Sequence, residues 1–187
     1  ESTFVYRISG NKIALMNVSG KNARDAQELY ALLKRKVSEI EHNLDYTAVF
    51  TISSGVVAFV NESGELKELL KKADFSLSMG KRSGKNNLYL FNSIEYTKHI
   101  NKLYLREKLR DSVKENFKGF EMYYQPVVDA SKLSSCSNKV DGVKVIGAEA
   151  LLRWSCPEFG LLGADQIVPI LEESGLIAPV GRWILIK

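Results

Sequence analysis

The stretch that decides the fold is Gly147–Trp154, which reads Gly-Ala-Glu-Ala-Leu-Leu-Arg-Trp. It continues an apolar run, and we expect it to place one carboxylate, Glu149, at the end of a β-strand. Arg153 follows four residues later. The same spacing also fits an ion pair between positions i and i+4 of a helix. The flanking sequence therefore decides between a binding site and an ion pair.

Further blocks surround this stretch in a fixed order. Tyr-Tyr-Gln-Pro-Val-Val stands at 123–128, Pro-Glu-Phe-Gly-Leu-Leu at 157–162, Ile-Leu-Glu-Glu-Ser-Gly-Leu-Ile at 170–177 and Gly-Arg-Trp-Ile-Leu at 181–185. Several blocks in register are hard to obtain by chance. Together with 147–154 they resemble the EAL family, the bacterial phosphodiesterases that hydrolyse the second messenger cyclic di-GMP.

The EAL resemblance implies roles for four residues. Glu149 would be a catalytic metal ligand at the carboxyl end of a barrel strand, Arg153 would bind a phosphate, and Gln125 and Leu151 would contact the ligand. The metal would be Mg or Mn, because a divalent ion neutralises the phosphodiester and lowers the pKa of bound water. A complete (β/α)8 barrel needs roughly 250 residues. Residues 119–187 would thus be only its start, and this chain alone is expected to be inactive.

The first half of the chain shows a different succession of patterns. Turn residues between two apolar runs predict a hairpin, and apolar spacings of three and four predict helices. The predicted elements are strands over 4–8 and 12–18, a helix from a cap at Asn22 to about Asn43, a strand over 46–60 bent near 53–55, a helix over 66–79 and a strand over 88–91.

This order resembles the second half of a GGDEF domain, the family that synthesises cyclic di-GMP. Tyr-Arg-Ile-Ser-Gly-Asn-Lys-Ile at 6–13 corresponds to the family's Gly-Gly-acid-acid-Phe hairpin, and the runs at 51–56, 73–77 and 84–86 correspond to its later strand, last helix and turn. The predicted class is α/β, with three parts. They are the C-terminal part of a degenerate α+β GGDEF domain (1–92), a linker helix (93–118) and the N-terminal part of an EAL barrel (119–187).

The hairpin tip lacks the carboxylates that a cyclase needs. Synthesis brings GTP and two magnesium ions together, and magnesium prefers anionic oxygen ligands. The two acidic positions carry Asn11 and Lys12. A neutral amide binds the ion poorly and an ammonium repels it, so we expect no diguanylate cyclase activity.

Two lysines four residues apart could still bind the phosphates of GTP at the degenerate site. Lys81 and Lys85 correspond to phosphate-binding positions of the GGDEF family. The alternative is a solvated basic helix end, which the helix dipole favours. Both interpretations stay open.

Apolar positions four apart mark the linker helix. Leu105, Leu109, Val113 and Phe117 form a stripe that is typical of a packing surface. Trp154 and Trp183 are interpreted as core or rim aromatics rather than platforms for base stacking.

The composition of the chain restricts the classes of partner and environment that we expect for this protein. The 187 residues are 45% hydrophobic with a net charge of +4, too mild an excess to indicate nucleic acid or a membrane surface as a partner. Cys136 and Cys156 have no metal-type spacing and are expected to be free thiols. We expect a cytoplasmic piece of a longer protein, cut at both ends, that forms a homodimer. Any membrane anchor would lie outside this chain.

The preferred function is metal-dependent hydrolysis of cyclic di-GMP by the longer protein, regulated by the inactive GGDEF part. Two alternatives remain. One is a receptor that binds cyclic di-GMP without cleaving it, and the other is a structural dimerisation module that binds nothing.

Overall fold

The computed structural model describes residues 3–20, 22–43, 50–59, 65–129 and 144–187. Residues 1–97 and 98–187 form two compact units. The first contains β1 (Thr3–Ser9), β2 (Lys12–Asn17), α1 (Ala23–Asn43), β3 (Ser54–Val56), α2 (Leu66–Arg82) and β4 (Leu88–Leu90). The helix α3 (Ser93–Lys114) crosses the boundary, and β5 (Phe120–Val128), β6 (Val145–Cys156), β7 (Gly160–Gly163), α4 (Ala164–Glu173) and α5 (Ile177–Ile186) follow.

The predicted hairpin and first helix are confirmed. β1 and β2 pair antiparallel, and Gly10 adopts a φ of 38° in the turn, a region that glycine enters without steric cost. Asn22 begins α1 as its cap, because its Oδ1 accepts hydrogen bonds from the backbone N–H groups of Arg24 at 2.8 Å and Asp25 at 3.1 Å. The helix ends at Asn43, where the sequence pattern predicted.

The long strand predicted over 46–60 is wrong in its described part. Only Ser54–Val56 forms a strand, paired parallel to Leu88–Leu90. Apolar and β-branched residues favour a strand only where a partner exists, and β4 is three residues long. The bend expected near Gly55 is the centre of β3 instead. Residues 46–49 and 60 lie outside the described residues.

Helix α2 packs directly onto β3 at Gly55. A Cβ at this position would lie 2.1 Å from the backbone nitrogen of Leu77 and 2.7 Å from the carbonyl oxygen of Ala73. The glycine therefore permits a helix and a strand to approach more closely than any side chain would allow. The helix itself ends at Arg82, one turn later than the predicted 79.

Three aromatic side chains, Phe75, Phe91 and Tyr96, pack together in this first unit. The ring of Phe75 makes edge contacts with those of Phe91, at 6.5 Å between centroids, and Tyr96, at 5.3 Å. The Tyr96 hydroxyl donates a 3.2 Å hydrogen bond to Glu68. Burial of the Tyr96 side chain is the largest cause that raises the pKa of Tyr96 above its ordinary value, and the charge of Glu68 raises it further.

The second unit is a three-stranded antiparallel sheet with helices on one face. Its strand order is β5-β6-β7. The core contains Leu105, Leu109, Phe120, Leu152, Trp154, Ile167, Ile170, Leu171 and Val180, and so draws on α3, α4 and α5 as well as β5 and β6.

Trp154 is fully buried, and its indole N–H donates to Ser112 Oγ at 3.0 Å. Trp183 packs against this core and stacks on Phe117. The interpretation of both tryptophans as core or rim residues is confirmed.

The linker helix ends earlier than the apolar stripe suggested. Leu105 and Leu109 are buried and Val113 and Phe117 pack against the core, as predicted. The helix stops at Lys114, however, because Asn116 and Phe117 adopt φ values of 59° and 61°. That left-handed conformation ends a right-handed helix. Phe117 is thereby turned onto Phe120 and Trp183.

The turn between β6 and β7 is held against α3. Lys108 and Glu158 form an ion pair, Tyr104 donates to Glu158 at 3.3 Å, and the rings of Tyr104 and Phe159 lie 5.6 Å apart. The hydrogen bond with Lys108 lowers the pKa of Glu158 to about 2, and the same bond raises the pKa of Lys108 to about 12. Both side chains are about one-third exposed.

Cys136 lies outside the described residues. Cys156 is a free, half-buried thiol. None of the described helices is long and apolar enough to cross a bilayer.

Candidate functional site

The antiparallel register of β5 and β6 brings the predicted site residues onto one surface. Gln125 lies directly opposite Glu149, and Tyr123 lies opposite Leu151. Arg153 follows Leu151 by two residues. Because alternate residues of a strand point to the same side of a sheet, Gln125, Glu149, Leu151 and Arg153 share one face. We call this surface, with Tyr123, the β5–β6 face.

The strand excludes the helical ion pair between Glu149 and Arg153. Four residues along a strand span about 13 Å, too far for a direct contact between these two groups. The strand also corrects a second expectation. Glu149 is the fifth of the twelve residues of β6, not its end, because β6 continues into the antiparallel pairing with β7.

The two sides of this sheet differ in burial. On the helix-covered side, Phe120, Leu152 and Trp154 are almost or fully inaccessible. On the β5–β6 face, Gln125 and Glu149 are exposed and Leu151 and Arg153 are partly exposed. The alternation of apolar and polar residues along β6 thus gives one side to the core at Leu152 and Trp154, whereas Ala148 and Ala150 on that same side are exposed, as Glu149 is.

Arg153 is held from two directions. Its Nη1 donates a 2.8 Å hydrogen bond to the carbonyl oxygen of Leu152, and its guanidinium carbon lies 5.8 Å from the centroid of the Tyr123 ring. Among the described residues it forms no ion pair. Glu121 lies directly opposite Arg153 in the strand register but forms no ion pair with it, so the positive charge of Arg153 stays available to an anion.

Tyr123 is the residue that the sequence analysis missed. The sequence pattern gives it no role beyond its place in the Tyr-Tyr-Gln-Pro-Val-Val block. The signal was present in the spacing, since Tyr123 precedes Gln125 by two and so lies on the same face of a strand. Its neighbour Tyr124 lies on the opposite face.

The oxygen donors on the β5–β6 face are those that a hard divalent cation takes. Glu149 offers a carboxylate and Gln125, directly opposite, an amide carbonyl. Within the described ranges, no group of three or more His, Cys, Asp or Glu residues could hold a metal ion. Within those ranges the face thus offers oxygen donors but no complete ligand set.

The hairpin tip of the first unit carries an ion pair. Lys12 Nζ lies 2.8 Å from Asp74 Oδ1 on α2, with 36% of the lysine side chain and 59% of the aspartate side chain exposed. Asn11 is exposed in the turn. Lys12, which we expected to repel a metal ion from the hairpin tip, is thus paired with the carboxylate of Asp74.

Lys81 and Lys85 lie close together at the end of α2. Lys81 is in its last turn, and Lys85 follows in a left-handed conformation with a φ of 49°. The Lys85 backbone N–H donates to the Lys81 carbonyl at 3.3 Å. Both side chains are exposed. Their role in phosphate binding stays a prediction.

Two protein families match successive parts of this chain. Residues 1–87 match the family described as "Diguanylate cyclase, GGDEF domain", and residues 106–187 match the family described as "EAL domain". The β5–β6 face lies wholly within the second match.

Two named relatives align with almost all of this chain. The cyclic di-GMP phosphodiesterase NbdA of Pseudomonas aeruginosa is 29% identical over 99% of this chain and 22% of its own length. The bifunctional diguanylate cyclase/cyclic di-GMP phosphodiesterase MucR of the same organism is 26% identical over 97% of this chain and 24% of its own length. The chain thus spans less than a quarter of the curated relatives it matches.

Among solved structures, the EAL enzyme Bd1971 in its cGMP-bound form is 24% identical, covers 65% of this chain and 26% of its own, and has a TM-score of 0.36. That score is too low to support any argument. The two consecutive family matches, together with relatives named as cyclic di-GMP phosphodiesterases, show that this chain belongs to the GGDEF–EAL signalling proteins.

Proposed function

We propose that the protein containing this chain is an EAL-type phosphodiesterase that hydrolyses cyclic di-GMP to the linear dinucleotide. The observation that carries the proposal is the β5–β6 face, where Gln125, Glu149, Leu151 and Arg153 lie together on the open side of a packed sheet. The names of NbdA and MucR, which both include this phosphodiesterase activity, support the substrate.

Each residue of the β5–β6 face would have a separate role that follows from its chemistry. Glu149 would be one ligand of a Mg or Mn ion, which when bound neutralises charge on the phosphodiester and lowers the pKa of bound water. Arg153 would bind a phosphate oxygen through the N–H groups that its bond to Leu152 leaves free. Gln125 would orient the ligand through its amide, and Leu151 would supply an apolar contact. Further metal ligands would come from other parts of the protein.

The first unit would regulate this activity without synthesising cyclic di-GMP. Asn11 and Lys12 provide no carboxylate at the hairpin tip, and Lys12 brings a positive charge that is already paired with Asp74. An ammonium at this point opposes the binding of magnesium and so of GTP with its metal ions. Lys81 and Lys85 remain candidates for binding a nucleotide phosphate.

Replacing Glu149 tests the proposal in the full-length protein. Glu149→Gln keeps the shape of the side chain but removes the charge that a metal ligand needs. We expect it to lower metal-dependent turnover of cyclic di-GMP by at least about 100-fold, the scale of losing a catalytic group. Turnover is measured as the formation of the linear dinucleotide in Mg and in Mn.

Glu172→Gln is the matched control, because Glu172 is an exposed carboxylate at the end of α4. It should turn over substrate like the unmodified protein. Equal activity of Glu149→Gln and Glu172→Gln would contradict the role of Glu149. Tight binding of cyclic di-GMP without any hydrolysis in either metal would favour the receptor.

A further inference from the structure

The ring of Tyr123 stands beside the one arginine of the β5–β6 face. Tyr123 pairs with Leu151 across the strands, and Arg153 is two residues further along β6. Diagonal neighbours of this kind are about 7–8 Å apart at their backbones, within reach of aromatic and long side chains. The side chains do meet, with 5.8 Å between the guanidinium carbon and the ring centroid.

We propose that Tyr123 is a positioning residue for Arg153, and that its aromatic face aligns the guanidinium for a phosphate of the ligand. The inference rests on the proposed function of the β5–β6 face. Tyr123 acts through Arg153 and makes no contact of its own with the reacting phosphodiester.

The contact restrains a side chain that is otherwise free to move. A guanidinium within about 6 Å of a ring centroid is attracted to the electron-rich face of the ring. The bond from Nη1 to the Leu152 carbonyl fixes a second point of the same group. Two restraints reduce the conformational entropy that Arg153 would otherwise lose when it binds a phosphate.

The restraint leaves the binding capacity of Arg153 largely intact. A guanidinium has five N–H donors, and one nitrogen is bonded to the Leu152 carbonyl. A ring contact uses none of these donors. A carboxylate partner would compete with the phosphate for charge and hydrogen bonds, but Glu121, which lies opposite Arg153 in the strand register, forms no ion pair with it. An aromatic neighbour thus orients the cation without neutralising it.

Tyr123 is also a poor candidate for a purely structural residue. It is 45% exposed, and it lies on the side of the sheet opposite the buried core residues Phe120 and Leu152. Tyr124 is 59% exposed and occupies the other side of the same strand. The adjacent tyrosines therefore differ mainly in which face they occupy, which makes Tyr124 a matched control.

The test compares Tyr123→Leu, Tyr123→Phe and Tyr124→Leu in the full-length protein. Binding of cyclic di-GMP is titrated in calcium, and KM and kcat are measured in Mg or Mn. Tyr123→Leu should weaken binding roughly 3- to 30-fold, the range of a cation–π contact. KM should rise with kcat nearly unchanged, because the contact acts on binding. Tyr123→Phe keeps the ring and should bind within about twofold of the unmodified protein, as should Tyr124→Leu.

A double substitution tests whether the effect passes through Arg153. Arg153→Ala should weaken binding by itself, and adding Tyr123→Leu should weaken it no further. Additive losses, unaltered binding by Tyr123→Leu, or equal losses in Tyr123→Phe would each overturn the inference. Absence of binding and turnover in the unmodified protein would instead refute the proposed function on which the inference rests.

Discussion

At the hairpin tip, the two positions where the GGDEF resemblance places acidic residues carry Asn11 and Lys12. The GGDEF resemblance places an acidic residue where Lys12 stands, and the lysine is paired with Asp74 at 2.8 Å. The ion pair ties the turn between β1 and β2 to α2 by a direct contact between side chains.

Exchanging the two charges measures that attachment. Lys12→Asp should lower the free energy of unfolding by at most about 1 kcal/mol, because a partly exposed ion pair stabilises little. Lys12→Asp combined with Asp74→Lys should recover most of the loss. Urea unfolding of the full-length protein at low and high salt gives both values. A double variant that is no more stable than Lys12→Asp alone would show that the two residues do not interact.

The pair formed by Lys108 and Glu158 predicts a pH dependence. The pKa of Glu158 lies at about 2, below its ordinary value of 4.5, so its ionised form is favoured by folding. Its stabilising contribution is present above about pH 4.5 and is lost as the pH falls towards 2. The Lys108 pKa of about 12 means that the pair persists up to and beyond pH 10.

Glu158→Gln should therefore lower the melting temperature slightly at pH 7, and the difference from the unmodified protein should shrink as the pH falls below 4.5. The decrease should be small because both side chains are partly exposed. Thermal melts between pH 3 and pH 8 measure it, with Glu172→Gln as the control. A difference that stays constant over this range would mean that ionisation of Glu158 does not stabilise the fold.

At the scale of elements, spacing and capping predicted the helices better than the strands. Asn22 marked the start of α1, and apolar residues three and four apart located α1, α2 and α3. These signals are local. The length of β3 depends on β4, which is distant in sequence, and the continuation of β6 past Glu149 depends on pairing with β7. Neither could be derived from the strand's own residues.

Gly55 offers a test of the contact between β3 and α2. Gly55→Ala should destabilise the first unit by about 1–3 kcal/mol or more, because the new Cβ would meet helix backbone atoms at 2.1 Å and 2.7 Å. Backbone atoms cannot turn aside as a flexible side chain can. Chemical unfolding followed by circular dichroism gives the change.

Gly20→Ala is the control in the same unit, since its Cβ would meet only the Asn17 side chain, at 3.7 Å. This substitution should be nearly neutral. Equal stability of Gly55→Ala and Gly20→Ala would contradict the close packing of strand and helix.

At the scale of the whole molecule, the sequence located the candidate site but not its geometry. Gln125, Glu149, Leu151 and Arg153 were chosen by resemblance, and the strand register brings them onto one face. The position of Glu149 within its strand and the contact of Arg153 with Tyr123 required the paired strands. Which side chains meet depends on a register that spans residues distant in sequence.

The described residues provide only part of the ligand set that the proposed function requires. A metal-dependent hydrolase needs several ligands around its ion, and within the described ranges no group of three or more His, Cys, Asp or Glu residues could hold one. The relatives are more than four times longer than the segment they share with this chain. The activity is therefore a property to be measured on the full-length protein.

The most direct measurement of the central claim is a calorimetric titration of the full-length protein with cyclic di-GMP in calcium, followed by a product assay in Mg and Mn. Calcium should hold the substrate without supporting its hydrolysis. We predict binding in calcium and formation of the linear dinucleotide in Mg or Mn. Failure to bind cyclic di-GMP, or binding that is never followed by product, would contradict the assignment of a phosphodiesterase.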